Sequence, residues 1–520
     1  MAADFDIAIV GYGPVGQTAA ILLGRLGFEV GVFERWPDLY PRPRAVHYDD
    51  EVARIFQGLG ISGQLAAITE PASEYEWQNA RGETLLLLDR TAPGPSGWPG
   101  ATMFCQPQLE QLLDETAKSV PSVRVHQGSE VRDLEDRGDH VTLALSSGGE
   151  ATARYAIGCD GANSIVRERI GTPLEDLGFA FDWLIADTLP RDPGLLTGVN
   201  LQKCDPARPT TLVSGGPGRR RWEWMLLPGE SREQVESPEY VWEMLAQSGL
   251  DESHLTLERY AVYTFRARWA ERWRRGRLMI AGDAAHLMPP FAGQGMCAGM
   301  RDALTLAWHL DLVLKGQAHE STLDAYTSER SGNVQQAIAI SVELGKVICI
   351  ADEAEAAARD EAMLALAADP TATAIELPTP ALGPGIHDRR SDGAEPEPGG
   401  SLFPQGSVTL DGESVLLEDA ISRGFVLYAV GVDPRELLDV EARLFLESLD
   451  CALVRLEPDL EGQEVYRDWF GRHGCAVALV RPDFYVFGAG AAEAAETSEM
   501  VRRLAAALTS PYEPEETPTP

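Results

Sequence analysis

The 520-residue sequence predicts an α/β protein in which a parallel-sheet, nucleotide-binding domain is combined with an antiparallel sheet. Three observations lead to this fold class. The chain starts with an apolar strand over 7–10, a glycine-rich turn, a helix over 15–26 and a second strand over 29–33, which together form a βαβ unit. Alternating segments rich in Trp and Arg fill residues 180–270. An apolar strand over 278–281 then returns the chain to the first sheet.

The remaining elements follow from the same patterns. An amphipathic helix is expected over 296–313, because its apolar residues recur at helical spacing. The other expected elements are helices over 49–57 and 106–119 and strands over 123–127, 130–135, 141–146, 221–227, 257–266, 425–432, 451–455 and 476–480.

These elements divide the chain into successive units. We expect a nucleotide-binding domain over 1–178, in which 75–105 joins the antiparallel sheet, and the domain of that sheet over 179–275. The chain then returns to the first domain, with helices, over 276–370. A linker over 371–400, rich in Pro, Gly and acidic residues, leads to a third domain over 401–508 and a disordered acidic tail over 509–520.

Charge and cysteine content narrow the function class. With 80 acidic and 44 basic residues the net charge is −36. We therefore expect no nucleic-acid partner, because phosphate binding needs a basic face. The seven cysteines are odd in number and form no Cys-x-x-Cys, so neither disulfides nor a metal site is expected. The first residues lack the basic start and the cleavage site of a signal peptide, and no run of eighteen apolar residues occurs. We therefore expect a cytoplasmic protein without a membrane span.

A Gly-x-Gly-x-x-Gly motif follows the first strand directly. Gly11 permits the tight turn, Gly13 lets a pyrophosphate approach the backbone, and Gly16 lets helix and strand pack closely. The N-terminus of the helix supplies N–H groups and a positive dipole to the phosphates. Glu34 ends the second strand, where an acid binds a ribose hydroxyl, and Arg35 beside it is a further candidate cofactor contact. The motif predicts dinucleotide binding without distinguishing NAD from FAD.

Two later segments carry a family resemblance. One is Gly-Cys-Asp-Gly-Ala-Asn-Ser over 158–164, and the other is Gly-Asp-Ala-Ala-His over 282–286, followed by Gly-Gln-Gly over 293–295. With the first motif they resemble the class A flavoprotein aromatic hydroxylases of the para-hydroxybenzoate hydroxylase fold, closest to the 3-(3-hydroxyphenyl)propionate hydroxylase and phenol hydroxylase branch. The resemblance covers nearly the whole chain. It implies a glutathione-reductase type, Rossmann-like FAD-binding domain, a substrate sheet and a C-terminal thioredoxin-like domain without Cys-x-x-Cys.

The resemblance also implies roles for individual residues. Asp283 is expected to bind the ribityl chain of FAD, and Asp160 to serve both FAD and the nicotinamide nucleotide. Gln106, at the start of its helix, is expected to contact FAD, and Arg44 to lie near the pyrophosphate. Pro289 is expected to present its carbonyl to the hydroxyl of the substrate.

The residues around the last motif agree with a bound flavin. Gly282 belongs to the turn that carries the aspartate, and Gly293 and Gly295 let the backbone approach a flat ring. The helix beginning near Met296 would aim free N–H groups at the flavin, where its dipole stabilises the anionic reduced ring. Cys297 stands where many relatives carry asparagine, which puts any role of that side chain in doubt.

The implied activity is a monooxygenase that consumes NADPH or NADH. It hydroxylates a small phenolic or aromatic-acid substrate with molecular oxygen through a flavin C4a-hydroperoxide, with FAD held tightly and the nicotinamide only transiently. The absence of a second glycine motif agrees with transient binding, and leaves NADH against NADPH open. Proton transfer needs a positioned group, for which His47, Tyr260 and Tyr263 are candidates beside Pro289.

Two alternatives stay open at this point. A flavin enzyme of the same fold could act on a polyketide, an antibiotic or another secondary metabolite, because fold does not determine substrate. A non-catalytic flavoprotein that binds a ligand is more remote. A halogenase is disfavoured, since Trp222-Glu223-Trp224 fits a sheet strand with alternating tryptophans and no lysine precedes Lys118. The C-terminal domain is expected to be structural or to form a subunit contact, which makes a homodimer possible.

Overall fold

The elements alternate between two large sheets before a third unit begins. The computed structural model describes residues 3–41, 44–72, 74–89, 93–368, 379–388, 398–410, 413–421, 424–457 and 463–512. The elements up to residue 170 are β1 (Phe5–Val10), α1 (Pro14–Arg25), β2 (Val30–Glu34), β3 (His47–Asp49), α2 (Asp50–Gly58), α3 (Ser62–Leu65), β4 (Thr69–Pro71), β5 (Tyr75–Gln78), β6 (Thr84–Leu88), β7 (Ala101–Phe104), α4 (Gln106–Ser119), β8 (Val123–Gln127), β9 (Val131–Asp136), β10 (Val141–Leu145), β11 (Glu150–Gly158) and α5 (Ile165–Ile170).

The second half of the chain continues this order. Its elements are β12 (Leu174–Pro190), β13 (Leu201–Lys203), β14 (Thr210–Ser214), β15 (Arg220–Met225), α6 (Arg232–Val235), α7 (Pro238–Ala246), β16 (Leu255–Ala270), β17 (Arg274–Arg275), β18 (Leu278–Ile280), β19 (His286–Leu287), α8 (Gly295–Leu314), α9 (Thr322–Ile348), α10 (Glu353–Ala368), β20 (Ser407–Leu410), β21 (Glu413–Leu416), β22 (Val426–Val430), α11 (Val440–Ser448), β23 (Ala452–Leu456), α12 (Glu464–His473), β24 (Val477–Val480), β25 (Val486–Gly490) and α13 (Ala494–Thr509).

The parallel sheet has the order β17-β18-β11-β1-β2-β8, with β10 and β9 added beside β11. Strand β1 runs parallel to both β2 and β11, so that Val10 lies opposite Phe33 and Gly158. The core of this sheet is continuous with α1 and α8, which pack on it through buried apolar faces. Because parallel strands end at the same edge, the turns after β1, β2, β11 and β18 meet there.

The antiparallel sheet has the order β19-β16-β12-β15-β14-β13-β5-β6. Its two longest strands, β12 and β16, pair along most of their length. The 17-residue β12 begins at Leu174, inside the segment that we expected to belong to the first domain. Within the segment 75–105, β5 and β6 join this sheet, but β7 pairs with β3 and β4 in a separate three-stranded sheet. Sequence alternation predicts a strand, whereas its partner depends on the tertiary structure.

Long helices connect the two sheets with the C-terminal unit. Helix α9 has 27 residues, and the Tyr326 hydroxyl on it donates a hydrogen bond of 2.8 Å to the Ile280 carbonyl at the end of β18. Across the described residues no single helix has the length and apolar composition of a membrane span. Taken together, α9 and α10 pass that test, but they are bent by 112°.

The C-terminal unit contains a mixed four-stranded sheet of order β23-β22-β24-β25, with β22 parallel to β23 and antiparallel to β24. The helices between these strands and α13 pack on it. This strand order supports the thioredoxin-like assignment, which stays a prediction.

The expected linker and tail are ordered where the structure describes them. Leu382 and Ile386 are buried, and the Asn333 side chain of α9 donates to the Pro380 carbonyl, so residues 379–388 form a packed strap. Tyr512 donates its backbone N–H to Ser321. Packing of apolar side chains therefore outweighs the loop-like composition here. The rest of the predicted linker and tail lies outside the described residues, apart from 398–400 and 509–511.

Candidate active site

A cavity of about 440 Å³ lies between the carboxyl edge of the parallel sheet and one face of the antiparallel sheet. Its two ends differ in chemistry. One end is lined by glycine turns and helix N-termini, including Gly13, Gly293 and Gly295. The other end is lined by polar and aromatic side chains of the antiparallel sheet, including Gln202 and Glu223.

The glycine motif after β1 has the backbone that its sequence predicts. Gly11 has a φ of +97°, and a Cβ there would lie 2.4 Å from the Cys159 carbonyl oxygen. A Cβ on Gly16 would lie 2.2 Å from the Gly11 carbonyl oxygen. At Gly13, by contrast, no described atom lies within 4 Å of a Cβ position, and no acidic residue occupies the first turn of α1. The N-terminus of α1 therefore opens onto the cavity, as a phosphate site requires.

Glu34 ends β2 beside this turn. Its Oε2 accepts a hydrogen bond of 2.8 Å from the Tyr12 N–H, and its Oε1 accepts one of 2.9 Å from the Trp36 N–H. The carboxylate is thus held in place, half-buried at the strand end. Arg35 is exposed and lies over the Trp36 ring, away from the cavity lining.

Gln106 fixes the segment that carries Arg44. Its side-chain oxygen accepts from the backbone N–H groups of Arg44 and Ala45, at 2.6 and 2.7 Å, and its amide donates to Glu110 at 2.6 Å. Burial raises the pKa of Glu110 to about 7. Gln106 also lines the cavity. The structure thus gives Gln106 a positioning contact to the backbone of residues 44–45, while its expected contact with FAD stays a prediction.

Asp283 lies at the cavity, half-exposed, with Arg44 Nη1 at 3.7 Å from its Oδ2. The turn that presents it is anchored from below by Asp302, whose Oδ2 accepts from the Gly282 N–H at 2.9 Å. Asp302 is fully buried and contacts His286 at 2.7 Å and Arg330 at 2.8 Å. We did not predict Asp302; a carboxylate on the buried face of an apolar helix is the sequence signal that would have found it.

The N-terminus of α8 forms the opposite wall. Its first residues, Gly295 and Met296, line the cavity, and its first turn has no acidic residue. Arg301 ties this helix to α2 by donating to Asp49 and Glu51, each at 2.6 Å. Burial alone would raise the pKa of Asp49, but attraction to Arg301 outweighs it and holds the pKa at about 2.

His47 lies beside the glycine turn that precedes α8. Its Nδ1 is 3.4 Å from the Gly293 carbonyl oxygen, and the ring lines the cavity. Gly293 has a φ of +67°, and a Cβ there would lie 2.6 Å from that nitrogen. Glycine is therefore required for the close approach of turn and imidazole.

Eight of the expected cofactor-binding and catalytic residues do not line the cavity: Gly11, Gly16, Glu34, Arg35, Asp160, Gly282, Pro289 and Cys297. The Asp160 carboxylate caps α5, accepting from the Ile165 N–H at 2.7 Å. The Pro289 carbonyl, expected to face the substrate, instead accepts from the buried Ser341 hydroxyl at 2.6 Å; Pro290 lines the cavity in its place. Cys297 is buried inside α8, and burial raises the pKa of its thiol well above the usual range.

The two candidate tyrosines of β16 face opposite sides of the sheet. Tyr263 lines the cavity, and its hydroxyl accepts a hydrogen bond from the Arg259 guanidinium. Tyr260 packs against the core on the other face, under α7. It therefore does not face the cavity and is no longer a candidate for proton transfer. Side chains three residues apart on a strand must point to opposite faces.

The sheet presents further polar residues that we did not predict as functional. Arg221, Asp187 and Arg259 lie side by side on β15, β12 and β16, with both arginines donating to the one carboxylate. Two residues along β15, Glu223 lies between Thr211 and Ile185 of the neighbouring strands. The alternation of Trp222 and Trp224 with charged residues was the available signal, since the tryptophans occupy the opposite, buried face.

The residues at the glycine-lined end fit FAD. The open Cβ position at Gly13, two helix N-termini without acidic residues and the half-exposed Asp283 supply what a pyrophosphate, a ring and a ribityl chain need. Among the residues that the structure describes, no group of three or more His, Cys, Asp or Glu side chains could hold a metal ion.

Comparison with known proteins covers both halves of the chain. A family model described as FAD binding domain matches residues 4–341, and one described as HcaD C-terminal domain matches residues 400–507. A probable NADH-specific resorcinol 4-hydroxylase of Rhodococcus jostii strain RHA1 is 38% identical over 519 residues, which covers 97% of this chain and 95% of that protein.

A second relative and a solved structure also match nearly the whole chain. A 3-(3-hydroxy-phenyl)propionate/3-hydroxycinnamic acid hydroxylase of Comamonas testosteroni is 32% identical and covers 98% of both chains. The crystal structure of aklavinone-11 hydroxylase with FAD and aklavinone superposes with a TM-score of 0.78 over 97% of this chain and 99% of that chain. At 24% identity, that likeness shows the fold alone.

Proposed function

Because the chain belongs to the class A flavoprotein aromatic hydroxylases, we propose that its cavity holds a small phenol of the resorcinol or hydroxyphenylpropionate type against the ring of FAD. The protein is an FAD-dependent monooxygenase of aromatic substrates that takes electrons from a nicotinamide nucleotide. Balance requires that one oxygen atom of O₂ enter the ring and the other leave as water, while NAD(P)H is oxidised. The named relatives favour this function over secondary-metabolite oxidation.

One observation carries the proposal. A single cavity joins the glycine-lined end, which fits the cofactor, to the side chains of the antiparallel sheet, which fit a small polar ring. At about 440 Å³ it is of the size that ligand pockets usually have. Aromatic side chains also line the cavity, including Phe265 and Phe291, whose ring centroids lie 6.0 Å apart and add apolar surface to its wall.

The cofactor-binding residues are those of the glycine-lined end. Gly11, Gly13 and Gly16 would admit the pyrophosphate, Glu34 would bind a ribose, and Asp283 the ribityl chain. Bound there, FAD would carry electrons from the nicotinamide to O₂ and so activate O₂, which supplies the oxygen atom that enters the ring.

The protein's own contribution is to orient the ring and handle its hydroxyl proton. Tyr263, whose oxygen accepts from Arg259, keeps its own hydrogen available for the oxygen of the substrate and stabilises negative charge that develops there. His47, at the flavin side of the cavity, is placed to pass a proton outward.

The finer assignments are part of the same proposal. The NADH-specific relative supports NADH as the donor. We further propose that the protein works in the cytoplasm and that the chain divides into the units expected from its sequence, with the first boundary moved to Leu174. The C-terminal unit has a structural role or forms the subunit contact of a homodimer.

The test is a turnover assay of the purified FAD-bound enzyme. Resorcinol should accelerate NADH oxidation, bleach the flavin absorbance under anaerobic conditions, and yield a product heavier by one oxygen atom in mass spectrometry. Gly11→Ala, in which a Cβ collides with the backbone, supplies a flavin-free control. Absence of stimulation and of product across a panel of phenols and aromatic acids would refute the proposed function.

A further inference from the structure

The carboxyl group of Glu223 is the unexplained feature of the cavity. It belongs to the cavity wall, yet its residue is only 9% exposed. Among the described residues its oxygens receive no hydrogen bond, and the charges that act on it are those of Arg221 and Asp187. A buried carboxyl without a donor is costly, so a ligand that donates a hydrogen bond would stabilise it.

The sheet holds this carboxyl in one place. Glu223 sits on the central part of β15, with Thr211 on one side and Ile185 on the other, and both of these neighbours line the cavity. Trp222 and Trp224 pack into the core of the opposite face and prevent the strand from turning over. The position of the carboxyl is therefore set by strand pairing and by the two tryptophans.

The charged side chains around Glu223 balance one another when no charged ligand is bound. Arg221 donates to Asp187 through two nitrogens, and Arg259 donates to the same carboxylate. When Glu223 is ionised, two guanidinium groups face two carboxylates and the net charge is zero. A substrate carboxylate would add an uncompensated negative charge beside Glu223, which low dielectric makes unfavourable.

The distance between Glu223 and Tyr263 suits a small aromatic ring. Glu223 and Tyr263 lie two strands and two residues apart on the same face, which puts their Cα atoms roughly 12 Å from each other. A benzene ring with two hydroxyl groups fits between the two side chains, with one hydroxyl at Tyr263 and the other at Glu223.

We propose that Glu223 determines substrate specificity by accepting a hydrogen bond from a second hydroxyl group, so that the site selects uncharged aromatic diols over aromatic acids. This inference rests on the proposed function, because it places the first hydroxyl at Tyr263. The family relationship leaves open whether the substrate is a diol or an arylpropionate. The inference assigns the diol and names the residue that selects it.

The test compares three ligands on the FAD-bound enzyme: resorcinol, phenol and 3-(3-hydroxyphenyl)propionate. Binding is measured without NADH from the change in flavin absorbance, and turnover from NADH oxidation. In Glu223→Leu the Kd of resorcinol should rise roughly tenfold to a hundredfold, the value of a hydrogen bond to a charged group. The Kd of phenol should stay within about threefold, and that of the arylpropionate should fall, because the repelling carboxylate is gone.

Two variants guard against a folding defect. Glu223→Gln keeps the size of the side chain and one acceptor oxygen but removes the charge and places an NH₂ donor at the other position, and it should weaken resorcinol binding about tenfold. Glu175→Gln, at an exposed position of β12, should leave all three ligands unaffected. Equal losses for phenol and resorcinol, or wild-type preference for the arylpropionate, would overturn the inference.

A pH series on the wild type needs no variant. Burial raises the pKa of Glu223 to about 7 although Arg221 opposes it. Resorcinol should therefore bind more weakly below about pH 7, where the carboxyl is protonated, while the arylpropionate binds more tightly. The other groups facing this end are Arg221 and Asp187 on the sheet, Arg259 and Tyr263 on β16, Tyr75 on β5, and His47, Arg44 and Asp283 on the opposite wall.

The variants separate these groups from Glu223. A pH dependence of resorcinol binding that persists in Glu223→Leu would belong to one of these other groups and would refute the assignment. Glu223-dependent binding of resorcinol without any NADH-driven product would instead refute the proposed function and leave the binding inference intact.

Discussion

Side-chain parity decides which tyrosine of β16 reaches the cavity. Tyr260 and Tyr263 are chemically equal candidates in the sequence, but an odd separation on a strand puts them on opposite faces. The sheet core covers one and the cavity takes the other. The same rule separates Glu223 from the tryptophans that flank it. The residue types thus identify the candidates, and their odd or even spacing on the strand decides which face each one lies on. Candidates on the buried face pack in the core, and those on the other face line the cavity.

Replacing each tyrosine by phenylalanine tests this division. Tyr263→Phe removes the hydroxyl beside the substrate, and we expect kcat for hydroxylation to fall roughly a hundredfold, the lower end for a positioned acid–base group. Tyr260→Phe should leave kcat unchanged, since its hydroxyl lies on the far face. Rates of NADH oxidation and of product formation measure both. Equal effects of the two substitutions would contradict the assignment.

At the scale of elements, the cavity depends on how α8 is held. The N-terminus of this helix faces the cavity, while Arg301 in its second turn contacts Asp49 and Glu51 at the start of α2. Deeper in the helix, Asp302 anchors the turn that carries Asp283. Two successive residues therefore position both walls of the cofactor end, although neither belongs to a glycine motif.

Acid should weaken the link between α8 and α2. The pKa of Asp49 is depressed to about 2 from 3.8, so its contribution is present above about pH 4 and is lost as the pH falls through about 2. Wild type should exceed Asp49→Asn in free energy of unfolding by roughly 2 kcal/mol at neutral pH, and the difference should vanish below about pH 2. Urea unfolding at several pH values measures it. Asp38→Asn, an exposed control, should show no difference; a gap for Asp49→Asn that does not depend on pH would exclude the ionic origin.

At the scale of the whole molecule, a buried ionic cluster joins the C-terminal sheet to the helices behind the cavity. Arg481, after β24, donates to Glu329 of α9 at 2.7 and 2.8 Å and to Asp483 at 2.7 and 3.0 Å. Asp483 in turn accepts from Trp308 of α8 at 2.9 Å. All three charged side chains are buried. The C-terminal unit is therefore packed onto the helices that frame the cofactor end.

Arg481→Leu should destabilise the protein by about 3–5 kcal/mol, because Glu329 would keep a buried charge without its partner. Release of flavin fluorescence and loss of far-UV circular dichroism should shift together in urea. Arg502→Ala, which removes exposed ion pairs in the same unit, should leave the midpoint of urea unfolding nearly unchanged, because solvent screens these charges. A flavin-release midpoint that stays unchanged in Arg481→Leu would show that the unit is independent.

Local pattern determined much of this protein. The spacing of Gly11, Gly13 and Gly16 after an apolar strand predicted the turn, since backbone approach depends on residues close in sequence. The helix over 106–119 was predicted to the residue, and β15 and α8 nearly so. The glycine-lined end of the cavity follows from these elements because parallel strands end at one edge.

Only the tertiary structure decided the substrate end. That the Pro289 carbonyl meets Ser341, that Tyr260 is covered, and that Glu223 faces the cavity between Thr211 and Ile185 all depend on elements far apart in the chain. Composition could not reveal these contacts, because strand pairing and helix packing are set by the sum of many weak apolar contacts rather than by a local motif. The sequence by itself therefore determined a nucleotide-binding turn and the elements around it, and packing decided which side chains meet the substrate.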